Sequence, residues 1–121
     1  MLFRSYLREW RASRPEARVI LVLGMMRDKD HVRFVEPLYR LVSEAVLTEA
    51  DMARSATVQE LQSAVGFRFP HCHVAQRAVD ALALARARAG AQDLICVTGS
   101  LMLVGEVKAL VRGCGVSPLR G

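Results

Sequence analysis

At 121 residues, 52% of them hydrophobic and 24% charged, the chain is one domain long and too rich in apolar side chains to stay disordered. The formal charge of +5 raises a polyanionic partner, but the excess comes from scattered arginines, with only Lys29 and Lys108 as lysines and 6% aromatics. There is no RNP-like aromatic strand, zinc-finger spacing, signal-type N-terminus or apolar run of the ~18 to 20 residues a membrane span needs, so a soluble, cytoplasmic protein that binds neither nucleic acid nor membrane is expected.

Residues 2–12 place Phe3, Tyr6, Leu7 and Trp10 at i, i+3, i+4 and i+7, the apolar stripe of an amphipathic helix. Arg4, Arg8 and Arg11 run beside it as a solvated rim, and Ser13-Arg14-Pro15 ends the helix. Residues 19–23 are continuously apolar and rich in β-branched side chains, which predicts a strand over 18–23 buried on both faces in a parallel sheet. Gly24 breaks that run, and Arg27, Asp28, Lys29 and Asp30 follow it. Asp30 is the expected N-cap of a helix turning Phe34, Leu38, Leu41 and Val42 inward, its regular part starting near Glu36 because Pro37 fits poorly inside it. A short strand over 45–48 comes next. Thr57-Val58-Gln59-Glu60 is a capping-box pattern opening a helix to about Val65, which Gly66 stops.

A strand over 67–73 is predicted at a sheet edge because of Pro70. An alanine-rich helix follows over 75–89, with Ala78, Leu82 and Ala85 on one side. Residues 93–98 form another buried strand, Gly99-Ser100 its turn, and 102–112 a last helix halted by Gly113. The alternation of strand and helix implies an α/β, Rossmann-like three-layer domain with a mostly parallel sheet flanked by helices. Cys72, Cys96 and Cys114 are odd in number and in no CxxC spacing, which fits a reducing compartment, with Cys96 a small core residue.

Open α/β sheets bind ligands beyond the carboxyl ends of their strands. Two such ends carry polar groups directly after a glycine, 24–30 and 98–106. Thr98-Gly99-Ser100 offers hydroxyls and backbone N–H groups at a helix N-terminus, suited to a carboxylate or phosphate. Asp28-Lys29-Asp30 reads equally as a surface charge cluster. His71 and His73 share a strand face and could chelate a metal with a third ligand, but no partner stands at a recognised zinc spacing, so ordinary histidines are expected.

Together, the GMMRDKD segment and DLICVTGSLMLVGEVKAL resemble the C-terminal domain of the folylpolyglutamate synthase/dihydrofolate synthase branch of the Mur ligase superfamily. Ala45-Val46-Leu47-Thr48, Arg54 and the helix before DLICVTGS agree with that resemblance. It implies an ATP-dependent ligase in which a central P-loop domain binds ATP and Mg2+ and phosphorylates a folate or dihydropteroate carboxylate. The amine of L-glutamate attacks the acyl phosphate, and the C-terminal domain closes over the site to supply part of the nucleotide and amino-acid pocket. On this resemblance Lys29 contacts the glutamate carboxylate, with Ser100 and the N–H groups after Gly99 helping to hold it. Asp28 and Asp30 orient Lys29, Thr98 supports the turn, and Arg54 steers an anionic substrate.

The chain departs from the family in lacking GxxxxGK[ST] and the Asp-Gly-Ala-His-Asn-Pro segment that supplies the family's first strand. Residues 1–121 are therefore expected to form a Mur-ligase-type C-terminal domain without that strand or the P-loop domain, inactive alone and working with a P-loop ATPase domain in cis or trans. No catalytic base, nucleophile or metal ligand is expected in it. The alternative is a stand-alone binding module that dimerises through an exposed sheet edge.

Overall fold

The computed structural model describes residues 2–111. Arg112, Gly113 and Cys114, and the side chain of Phe3, lie outside the described residues. In chain order the elements are α1 (Leu2–Ser13), β1 (Val19–Leu23), α2 (His31–Val35), β2 (Glu44–Glu49), α3 (Val58–Val65), β3 (His71–Arg77), α4 (Ala78–Arg88), β4 (Leu94–Thr98) and α5 (Leu101–Val111). The strands make one sheet in the order β3-β2-β1-β4, and every pairing is parallel.

The five residues of β1 are all buried because helices cover both sheet faces. Val19, Leu21 and Leu23 pack with Leu7 of α1, Val35 of α2 and Leu61 and Val65 of α3. Ile20 and Val22 alternate to the other face and meet Ala81, Leu82 and Ala85 of α4 and Leu103, Val104 and Val107 of α5. This is the three-layer architecture that the two-sided apolar run predicts.

Three elements differ from expectation. The regular part of α2 lies before Pro37, not after Glu36. Its regular turns close with Glu36 N–H to Val32 O at 3.0 Å, and residues 36–41 continue as turns, with Leu38 N–H to Val35 O at 2.8 Å and Tyr39 N–H to Val35 O at 3.0 Å. Pro37 has no N–H and its ring crowds the carbonyl four residues back, so the helix cannot run through it. The third strand runs over His71–Arg77, four residues later than predicted, and α4 starts correspondingly later, at Ala78. Phe67 sits in a 3-10 turn (Gly66–Arg68) with 74% of its surface exposed, so its aromatic character is no strand signal here. β3 does occupy a sheet edge. In α1, Leu7 is fully buried, whereas Tyr6 stays half-exposed at the margin of the stripe.

The topology creates a switch point. From β1 the chain steps to β2 and β3 through α2 and α3 on one face, then crosses through α4 on the other face to β4, on the opposite side of β1. The loops leaving the neighbouring strands β1 and β4 therefore diverge to opposite faces, which opens a crevice at their carboxyl ends.

Candidate functional site

The two loops flanking the crevice are built on glycines in close contact. Gly24 N–H donates to Thr98 O at 3.3 Å, and a Cβ on Gly24 would lie 2.9 Å from Leu103 Cδ2 and 3.1 Å from Thr48 O. Gly99 has φ +107°, and a Cβ there would collide with the Gly24 carbonyl oxygen. Above this floor lies a cleft of about 360 Å³ lined by Met25, Lys29, Asp30, Arg33, Phe34 and Gly99.

Within the cleft, Lys29 N–H closes a turn onto Met26 O at 3.3 Å, and the side chain is exposed with its ammonium in no ion pair among the described residues. Asp30 caps α2 by accepting a hydrogen bond from Arg33 N–H at 3.1 Å. Two cations and one carboxylate, itself engaged as a cap, leave the cleft net positive and suited to an anion.

The remaining predicted residues are near but differently employed. Arg54 meets Asp28 at 3.6 Å on the surface, so Asp28 turns to Arg54. Arg27 N–H to Arg54 O and Ala56 N–H to Met25 O, both 2.8 Å, lace the loop after β2 to the loop after β1 and bring Arg54 beside the cleft without lining it. Ser100 is 3% exposed, and its Oγ accepts a hydrogen bond from Leu103 N–H at 3.4 Å, an N-cap for α5. Thr98 is wholly buried beneath Gly99, and its Oγ1 has no hydrogen-bond partner among the described residues. Arg33 is the cleft residue that sequence reading missed. Its signal was there, a cation three positions after an N-cap aspartate.

A second polar cluster, also missed, sits at the amino ends of the strands. The Glu44 carboxylate, 1% exposed, accepts bonds from Arg18 Nη1 at 2.7 Å, Arg88 Nε at 2.8 Å and His73 Nε2 at 3.0 Å. Burial pushes this carboxyl up, but the bonds from Arg88 and His73 and the charges of Arg88 and Arg18 outweigh it and hold it below the usual carboxylate range. Asp93 takes the backbone N–H groups of Arg18 at 2.8 Å and Gly90 at 2.7 Å. His73 is thus spent on Glu44 while His71 is exposed, and among the described residues no group of three or more His, Cys, Asp or Glu is arranged for a metal. Burial raises the Cys72 thiol and pushes Cys96 up to about 12, so neither is a thiolate at neutral pH. No helix among the described residues is long and apolar enough to cross a membrane.

The family model of the Mur ligase glutamate ligase domain matches residues 3–101. No curated protein sequence matches the chain. Among solved structures, Escherichia coli FolC in complex with DHPP and ADP aligns at 24% identity over 92% of this chain and 26% of its own, with a TM-score of 0.78. Mycobacterium tuberculosis folylpolyglutamate synthase complexed with ADP and AMPPCP aligns at 25% identity over 96% of this chain and 28% of its own, TM-score 0.74. The bifunctional folylpolyglutamate synthase/dihydrofolate synthase with Mn, AMPPNP and L-glutamate bound aligns at 25% identity over 90% of this chain and 26% of its own, TM-score 0.75; a like-named structure is from Yersinia pestis. The chain spans about a quarter of the length of each of these proteins.

Proposed function

The chain belongs to the Mur ligase glutamate ligase domain family, and from that premise we propose that it is the substrate-closing C-terminal domain of an ATP-dependent ligase adding L-glutamate to a folate or dihydropteroate. The observation that carries this reading is the meeting of Lys29 and Gly99, from two different loops, in one net positive cleft at the switch point. Lys29, with Arg33 beside it, holds a carboxylate of the incoming glutamate. The backbone at Gly99 forms the opposite wall, and Ser100 and Thr98 keep that wall in place. Arg54, tethered to Asp28 at the cleft's margin, guides the anion inward.

The described residues do not fit ATP and Mg2+ on their own. They include no group of three or more His, Cys, Asp or Glu arranged for a metal, and the sequence has no P-loop to cradle phosphates. Nucleotide and metal are on this reading bound mainly by a P-loop ATPase domain acting in cis or trans, which carries out the acyl-phosphate step, while this chain closes over the nucleotide and binds and orients the amino acid. The relatives bound to ADP, and to AMPPNP with Mn and L-glutamate, support nucleotide, metal and glutamate use by the full enzyme.

Titrating L-glutamate into the chain while following backbone amide shifts tests the reading. Shifts should converge on residues 25–34 and 99–102, and Lys29→Ala should weaken binding by about tenfold or more while leaving the fold intact, because the side chain is exposed. Glutamate binding that Lys29→Ala leaves unchanged would sink it. A second reading, a non-catalytic module that pairs through β3 or β4, draws on the two sheet edges that are open among the described residues. A dimer mass by sedimentation, with no glutamate binding, would favour it.

A further inference from the structure

Besides the switch-point cleft, the described residues form a wider groove of about 880 Å³ on the α4–α5 face. One wall is α5, which presents Met102, Glu106 and Leu110 at helical spacing. The opposite wall is the first turn of α4, with Val79, and the rim is the chain leaving β2, with Glu49 and Asp51. Val79, Met102 and Leu110 are 41%, 48% and 40% exposed, so large apolar side chains face solvent together here. Gly105 stands beside them on α5, where an added Cβ would meet nothing within 4 Å.

The rim reverses the charge of the molecule. In a chain of net charge +5, the groove gathers three carboxylates, Glu49, Asp51 and Glu106, against one arginine, and none of the three is in an ion pair among the described residues. Glu49 accepts only Val58 N–H at 2.9 Å, Glu106 only Asp51 N–H at 2.6 Å, and Asp51 has no side-chain partner among the described residues. Arg77 also lines the groove but makes no ion pair there among the described residues.

From this geometry we infer that the α4–α5 groove docks a basic amphipathic helix of a partner protein, its apolar face on Val79, Met102 and Leu110 and its lysines or arginines toward Asp51, Glu106 and Glu49. The groove follows α5 for the two to three turns that such a helix needs as anchor, read at i, i+3, i+4 and i+7. The flexible Met102 side chain can mould to the partner's apolar residues. The rim carboxylates set the orientation and accelerate encounter. The inference is independent of glutamate binding, because no residue of the groove lines the switch-point cleft.

The test uses the full chain and a labelled helical peptide of about 14 residues, with leucines at i, i+3, i+4 and i+7 flanked by lysines, read by fluorescence anisotropy. Saturable binding is expected that weakens with added salt. Asp51→Lys should lower affinity by about fivefold or more, and Met102→Ser should also lower it. Both positions are exposed, so folding is preserved, which amide spectra verify. A matched peptide with glutamates in place of lysines should not bind. Equal binding of the two peptides, or unchanged affinity in both variants, would overturn the inference. So would a dimer of the chain alone that Asp51→Lys dissociates, since the occupant would then be a second copy.

Discussion

At the scale of single residues, the crevice owes its shape to Gly99 more than to any charged group. With φ +107° and the Gly24 carbonyl pressed against it, Gly99→Ala should destabilise the domain by about 2 kcal/mol or more, seen as a lower urea midpoint. Thr98→Val should do the opposite. Its buried Oγ1 has no partner among the described residues, so an isosteric methyl should raise stability by roughly 0.5–1 kcal/mol in the same assay. Lys29, Gly99 and Asp30 could be picked out in the sequence because each follows a strand end. The engagement of Asp28 with Arg54 could not, since it depends on lacing between two loops 26 positions apart (Asp28 to Arg54). Nor could the commitment of the Ser100 hydroxyl to its own helix, which depends on a side-chain torsion.

Among the elements, those whose signals were local were legible. The capping box of α3 is present on both sides, Glu60 N–H to Thr57 Oγ1 at 3.1 Å and Thr57 N–H to Glu60 Oε1 at 2.9 Å. Thr57→Ala should therefore cost about 1 kcal/mol, measurable as a drop in thermal midpoint. The buried strand β1 was equally plain from its unbroken apolar run. β3 was not, because an edge strand reading His-Cys-His-Val-Ala-Gln-Arg carries no apolar alternation, and Phe67 and Phe69 drew the boundary upstream. In α2 the proline marks a break in the sequence, but its type alone does not say on which side the regular turns lie, and they lie before it. The Asp30 cap and the bond from Glu36 to Val32 put the regular turns ahead of Pro37, not in the apolar spacing beyond it.

The whole molecule is tied at its amino-end pole by Glu44, which joins Arg18 ahead of β1, His73 of β3 and Arg88 of α4. Its carboxyl is held below the usual range when folded, so the stabilisation is complete above the ordinary carboxylate pKa and is lost as pH falls through the lowered folded value. Asp93, lowered in the same direction despite its burial by bonds from Gly90 and Arg18, adds to the same window. Glu44→Gln should cost about 1–3 kcal/mol at neutral pH and flatten the acid limb of a stability-versus-pH curve. None of this network was visible in sequence, because its members are brought together only by the strand order. The same order fixes how the opposite pole behaves. Gly24 N–H is bonded to Thr98 O and its carbonyl lies against Gly99 across β1 and β4, so the floor joining the two walls of the cleft is closely packed. A ligand entering the cleft meets a floor already set, and on the proposed reading clamping comes from motion of a second body over it, which places selectivity in the geometry of approach and not in the grip.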